Sequence, residues 1–429
     1  MLGVSLLGGW LPVGAEVLAG VALLLAIGWR DRQWRLRWLP LAGVLAVVVT
    51  LVLERESATL LGITDPLPAA VWIWLGAAIG AVLVLVVGWR SATWWRRGGA
   101  VLAVVLAAFV CANQVNQFVG YYPTVGAVWN DWTHAPLPGV TSIGSVRAHP
   151  PTDGHVLAEG KLVGVTIPPT YSGFKHREEY VYLPPTWFRG PAYRRTVPIV
   201  ELVGGERGGP ADWVRLGNAV QIANSYAAAH GGYAPILVFV DATGGFSNDT
   251  ECVNGPRGRA EDHLVRDVPR YVVTTFGASA DPNRWGVAGF SMGGTCAFGL
   301  VVEHPDVFRH FVDISGDLAP NSGNPQRTLA DLYGGSTKDR ALHDPMTVMR
   351  THGPYTAVSG LFLVSNTETI HIREAGELSR AAARVGIGTR LVVSPGSHVW
   401  QFAAPAFGQA FPWFVNQLTP NVPHHVGAA

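Results

Sequence analysis

Gly289-Phe290-Ser291-Met292-Gly293-Gly294 is the stretch of this chain with the clearest chemistry. A short apolar run at 284–288 precedes it and reads as a buried strand. An apolar run at 295–303 follows and reads as a helix. A strand, a G-x-S-x-G turn and a helix together form a nucleophile elbow, which presents a Ser hydroxyl at a sheet end and a helix N-terminus. The turn is tight enough that side chains two residues either side of the Ser would clash, which is the reason for Gly289 and Gly293.

A Ser hydroxyl attacks an acyl group only with a base to take its proton and a third group to orient that base. In sheets built around such an elbow the chain order is Ser, acid, His, with the His after the last strand. His398 meets that condition, following 390–394 and the Pro395-Gly396 turn. His343, His352 and His371 come before that strand, and His424 and His425 lie in the terminal tail. The acid is expected after the strand at 360–365. No Asp stands there, and Glu368 is the first carboxylate, with Glu374 and Glu377 further along the following helix. Glu368 is the chosen acid; its other role would be a favourable charge at that helix's N-terminus. The oxyanion of a tetrahedral intermediate needs backbone donors. The N–H of Met292 is one candidate, and the N–H of Glu206 in Gly204-Gly205-Glu206-Arg207 is the other, with Gly205 as its alternate. Arg207 and Trp213 would border the substrate cleft, or serve as a surface charge and a core aromatic.

The elements that must position these groups alternate. Strands are expected at 161–167, 179–183, 197–202, 235–240, 284–288, 311–315, 360–365 and 390–394. Helices are expected at 213–230, 262–276 and 295–303. That alternation implies an α/β fold with a mostly parallel sheet covered on both faces.

The first third of the chain is different. Only 14% of the 429 residues are charged while 48% are hydrophobic, and the apolar excess is concentrated there. Four segments, 11–29, 38–53, 69–89 and 99–119, read as transmembrane helices. Pro40 leaves the ends of the second one open. The first segment has no basic leader and is followed by further spans, so it is not read as a cleaved signal. Arg30, Arg32, Arg35 and Arg37 fall in one loop and Arg90, Arg96 and Arg97 in another. The loop between them holds Glu54, Arg55, Glu56 and Asp65. The positive-inside rule places both Arg-rich loops in the cytoplasm and both termini outside. The expected organisation is a four-span region at 1–120, a linker at 121–157 and a catalytic domain at 158–420 outside the cytoplasm. Asn113, Gln114, Asn116 and Gln117 are read as capping or interhelical groups, or as a site within the membrane.

Net charge is +1, which excludes a nucleic-acid footprint. Cys111, Cys252 and Cys296 match no zinc or C-x-x-C spacing. Cys252 and Cys296 both flank the elbow region and are read either as a disulfide, outside the cytoplasm, or as two buried thiols. His371 and Glu374, one helical turn apart, make half a metal site with no further ligands converging. No metal and no cofactor are expected.

With these residues in view, the chain resembles the putative-esterase family of α/β-hydrolases, which includes esterase D and the secreted mycobacterial mycolyltransferases of the antigen 85 complex. The resemblance covers roughly 158–420. It rests on Tyr182-Leu183-Pro184-Pro185, on Asn248-Asp249-Thr250-Glu251-Cys252, on the elbow, on His304-Pro305, and on Ser397-His398-Val399-Trp400. It implies an α/β-hydrolase fold with Ser291 as nucleophile, His398 as base and Gly205-Glu206-Arg207 as the first oxyanion loop. The mycolyltransferases carry their acid within the helix, favouring Glu377 or Glu374; esterase D relatives carry it at the strand end, favouring Glu368. The expected function is a membrane-anchored serine esterase or acyltransferase. Its substrate would be an ester-linked lipid, glycolipid or acylated carbohydrate of the cell envelope, with membrane lipid as its other partner. The competing reading is a non-catalytic binding or assembly protein on the same fold.

Overall fold

The computed structural model describes residues 3–28, 30–57, 67–133, 137–148 and 157–419. Asp65, His424 and His425 lie outside them. The chain divides into two compact units, 1–136 and 137–429.

The first unit is built on four helices, each long and apolar enough to cross a membrane: Trp10–Ile27, Trp34–Arg55, Ala69–Gly88 and Trp94–Val119. The second begins earlier than 38. Pro40 follows a π turn at Trp34–Trp38 that runs directly into Leu39–Arg55, so the helix continues through a residue that cannot donate its own backbone bond. Alanines 19, 22, 26, 81, 103 and 107 line the buried faces together with Val71, Val84, Val110, Trp34 and Trp72, while many Leu and Val side chains, Leu24, Val44, Leu51 and Val86 among them, point outward. Arg30 donates to the carbonyls of Ala26 and Gly88, both at 3.0 Å, and so satisfies the ends of two helices. The polar run near 113–117 bonds within the unit. Asn113 Nδ2 reaches Leu6 O at 3.1 Å, Gln114 Nε2 reaches Glu16 Oε1 at 2.7 Å, and Asn116 brackets Tyr122.

The second unit carries a nine-stranded sheet. Its strands, with a small ribbon counted in, are β1 (Val140–Ser142), β2 (Lys161–Val165), β3 (Glu179–Leu183), β4 (Ile199–Val203), β5 (Ile236–Val240), the ribbon β6 (Asn254–Gly255) and β7 (Gly258–Arg259), β8 (Trp285–Phe290), β9 (His310–Ile314), β10 (Ser359–Ser365) and β11 (Gly388–Ser394). The spatial order is β1-β2-β3-β5-β4-β8-β9-β10-β11. Among its described strands, only β2–β3 and β3–β5 of the nine-stranded sheet pair antiparallel, as does the separate β6–β7 ribbon. Strands β3, β4, β5, β8 and β9 are buried along their whole length, as expected for a sheet covered on both faces. One face is covered by helices Val268–Phe276, Met292–Glu303 and Thr369–Arg384. The other is covered by Ala219–Ala229 and Trp400–Leu418. The architecture is that of an α/β-hydrolase.

Two expectations change. The segment 121–157 is not wholly a linker: Val125–Trp132 is helical, and β1 pairs in parallel with β2, Val140 opposite Leu162. A three-residue edge strand is too short to leave a periodic signal. The helix read over 213–230 is broken into Asp212–Arg215 and Ala219–Ala229, because Gly217 and a left-handed Asn218 (φ 54°) turn the chain between them.

Candidate active site

Ser291 stands between β8 and the helix Met292–Glu303 with φ 60° and ψ −123°, a sparsely populated conformation for a residue with a Cβ. The neighbouring glycines are there because nothing else fits. A Cβ on Gly289 would lie 1.9 Å from Gly293 O, one on Gly293 2.2 Å from Val203 O, and one on Gly294 2.5 Å from an Asp313 carboxylate oxygen. The strained backbone is tied to the sheet by Ser291 N donating to Ile314 O at 2.9 Å.

His398 Nε2 lies 2.9 Å from Ser291 Oγ, and His398 Nδ1 lies 2.5 Å from Glu368 Oε1. Sheet register brings these loops level. Ser365 pairs with Ser394 at the shared end of β10 and β11, so Glu368, three residues on, and His398, four residues on, leave the sheet side by side. The other carboxylate oxygen of Glu368 accepts from Ser315 Oγ at 2.8 Å and Ser365 N at 3.0 Å. Burial by itself would raise this carboxyl, but the hydrogen bond and charge of His398, with the two serine bonds, outweigh it and hold it at about 2. Phe290 packs against the His398 ring at 4.9 Å, and Trp400 packs behind Phe290 at 5.1 Å.

Glu374 and Glu377 are elsewhere. Glu374 accepts from Leu318 N at 3.1 Å, and Glu377 is half-buried further along the same helix. His371 does not pair with Glu374. Its Nδ1 is 3.4 Å from Glu368 Oε1 and its Nε2 is 3.2 Å from Asp317 Oδ1. Ser315 and Asp317 are not among the candidate site residues of the sequence, and His371 stands there only as a misplaced base or as half of a metal site with Glu374. The only local sign for Ser315 is a polar residue directly after β9, where the chain turns left-handed (φ 52°).

Met292 opens the elbow helix, so its N–H is among those with no intrahelical acceptor. Residues 205–208 form a tight turn closed by Gly208 N donating to Gly205 O at 2.9 Å. The open side of Gly205 faces Ser291, whose Cβ lies 3.8 Å from where a Gly205 Cβ would be. Glu206 and Arg207 occupy the tip, exposed and 3.6 Å apart. Trp213 does not border a cleft. It is fully buried, its indole N–H donates to Val203 O at 2.8 Å, and its ring packs edge-on against Trp400 at 5.1 Å. A large aromatic with one polar handle satisfied inside is a core residue.

Cys252 and Cys296 are joined, with Cα atoms 5.7 Å apart, and this bond fastens the loop before β6 to the elbow helix. In that loop burial, then the Glu206 charge, push the Asp249 carboxyl up to about 7 against the pull of Arg257. Among the described residues three groups bring His and carboxylate ligand atoms within 4.8 Å: His176/Glu179/His263, Glu261/Glu303/His304, and Glu368/His371/His398. Each contains an imidazole–carboxylate contact within hydrogen-bond distance, 2.9 Å for His263–Glu179, 2.7 Å for His304–Glu261 and 2.5 Å for His398–Glu368.

The profile of the family described as Putative esterase matches residues 175–411. An uncharacterized protein of Corynebacterium glutamicum is 27% identical over 410 residues, 94% of each chain, so that likeness extends into the first unit. Solved structures similar to the second unit include a ferulic acid esterase (18% identity, 61% of this chain and 99% of that one, TM-score 0.48). An S-formylglutathione hydrolase from Agrobacterium tumefaciens is another (16%, 62% and 99%, TM-score 0.48). A third is MPT51 of Mycobacterium tuberculosis (17%, 59% and 97%, TM-score 0.42).

Proposed function

Starting from the fact that the chain belongs to the Putative esterase family and is therefore a serine hydrolase or acyltransferase, we propose that it is anchored in a membrane and acts outside the cytoplasm on ester-linked lipid or acylated carbohydrate of the cell envelope. The observation that carries the mechanism is the continuous hydrogen-bonded line Ser291 Oγ, His398, Glu368. Ser291 Oγ attacks the ester carbonyl carbon while His398 Nε2 takes its proton. The C–O π electrons move onto oxygen, which the N–H groups of Met292 and Glu206 stabilise. The tetrahedral intermediate collapses, the alcohol leaves with the proton from His398, and an acyl-enzyme remains. Water or a sugar hydroxyl then repeats the sequence in reverse, again with His398 as base. Glu368 stays ionised throughout and holds the imidazole in the tautomer that faces Ser291.

Four helices of sufficient length and apolarity support the anchor. The Arg-rich loops support an outward-facing catalytic unit, and so does the Cys252–Cys296 bond, which persists in oxidising compartments. A membrane-impermeant fluorophosphonate applied to intact cells tests both points. Labelling is expected on the parent and absent from Ser291→Ala. Labelling only after lysis would sink the orientation, and labelling of Ser291→Ala would sink the nucleophile. Product analysis with and without a carbohydrate acceptor separates transfer from hydrolysis.

A further inference from the structure

The turn that offers the Glu206 N–H is held from outside the triad. Its entry, Gly205, rests against Ser291. Its exit is the Gly208 carbonyl, which accepts from Arg177 Nη2 at 2.8 Å. Arg177 lies just before β3, at the opposite side of the elbow from His398, and its guanidinium has no freedom to wander. Asp241, directly after β5, takes Nε at 2.9 Å on one carboxylate oxygen and Nη2 at 2.7 Å on the other. The same carboxylate accepts the Arg177 backbone N–H at 2.7 Å, and Thr243 Oγ1 lies 2.7 Å from Nη2, so that the two N–H bonds of Nη2 are shared among Gly208 O, Asp241 and Thr243. Asp241 is in turn fixed by its own N–H, which donates to the fully buried Glu179 at 2.9 Å. The fit continues at Gly209, where a Cβ would come within 3.0 Å of Arg177 Nη1. Burial would raise the Asp241 carboxyl, but the bonds and charge of Arg177 hold it at about 2, so the pair is ionised at any working pH.

We infer that Arg177 is a positioning residue for the acyl-transfer chemistry: locked by Asp241, its guanidinium fixes the turn at 205–208 and so keeps the Glu206 N–H aimed at the developing oxyanion. The inference rests on the reading of Ser291 as nucleophile. A planar fork is required, because one group must meet a carboxylate on two atoms and a backbone carbonyl and a hydroxyl at once, which an ammonium cannot do. Displacement of a catalytic donor by about 1 Å costs up to roughly 100-fold in rate, with little effect on ground-state binding.

The test uses the full-length enzyme in detergent, a short-chain p-nitrophenyl ester and a fluorophosphonate, with Arg177→Ala, Arg177→Lys, Thr243→Val and Ser291→Ala. Arg177→Ala and Arg177→Lys are expected to lower kcat by roughly 10- to 100-fold with KM changed less than about twofold. The fluorophosphonate should react more slowly with them but still to full stoichiometry, and added guanidinium should raise kcat of Arg177→Ala and not of the parent. Thr243→Val, which removes one acceptor on the same nitrogen, covers the case in which neither Arg177 variant folds, with kcat expected to fall by roughly threefold to tenfold. A folded Arg177 variant with parental kcat, a loss confined to KM, or, where only Thr243→Val folds, an unchanged kcat in that variant would overturn the positioning role. Activity retained by Ser291→Ala would be a separate failure, of the nucleophile reading itself and the positioning role with it.

Discussion

The two units of this chain differ in which side chains they bury and which they expose. In the second, the largest side chains are inside: Trp285, Tyr182, Phe239, Phe298, Phe311 and Phe362 are fully buried, and exposed large apolar residues are scattered singly. In the first, most buried hydrophobic positions are alanine, with Trp34 and Trp72 the large exceptions. Ala19, Ala103 and Ala107 have no exposure, while Leu24, Val44, Leu51 and Val86 stand out from the helices. A water-driven core gains by hiding aromatic area. A bundle whose surroundings are as apolar as its side chains gains nothing that way, and it packs by close approach of small residues. The contrast supports a lipid surround for the first unit and an aqueous one for the second.

The comparison also divides the consequences of mutation, and the largest effects belong to the second unit's chemistry. Ser291→Ala is expected to lower kcat by roughly 10⁶-fold without altering the stability of either unit. Ester turnover beside thermal unfolding checks it, and a fall in stability parallel to the loss of rate would break the separation. Glu368→Gln comes next, with kcat down roughly 10⁴-fold because the imidazole loses its orienting anion. It also has a stability signature. Glu368 is held at about 2 against an ordinary 4.5. Its stabilising contribution is therefore complete above about pH 4.5 and is lost as pH falls through about 2. Denaturant titrations between these limits should show a steep acid decline in the parent and a shallower one in Glu368→Gln.

The disulfide closes a 44-residue separation, so removing it in Cys252→Ala/Cys296→Ala should cost about 4 kcal/mol by chain entropy. Urea midpoints of the two proteins check this, and the loss should be confined to the second unit's transition. The smallest effects lie in the helices, where enlarging a buried small residue should matter more than truncating an exposed large one. Ala103→Leu, overpacking a buried small position, should destabilise the first unit by about 1–3 kcal/mol. Leu24→Ala, at a side chain pointing outward, should stay within about 0.5 kcal/mol. Far-UV dichroism during unfolding in mixed micelles reads both. The reverse ranking would mean that the first unit has an ordinary water-driven core.

Much of this was legible along the chain because it is local. The elbow needs three glycines within six residues, the spans need runs of apolar residues, and the strands from 161 onward carry their own β-branched pattern. The strand at 140–142 was not legible, since its three residues gain order only by lying against β2. Trp213 was ambiguous for a related reason. A Trp beside a Gly-rich loop suits a cleft or a core equally, and only the packing of Trp400 and Phe407 around it decides.

What the sequence by itself determined is a strained Ser on a strand-turn-helix, a His after the last strand, and an apolar first third with charge in alternate loops. These follow from backbone sterics and from hydropathy, which act over a few residues. The tertiary structure decided which carboxylate faces His398, which cysteines meet, and that Arg177, far from the elbow in sequence, reaches the turn at 205–208. Those depend on strand register and sheet order, where Ser365 lies opposite Ser394 and β5 brings Asp241 to Arg177. Contacts between distant segments cost chain entropy and are repaid only when the whole sheet forms, so no short window of residues can encode them.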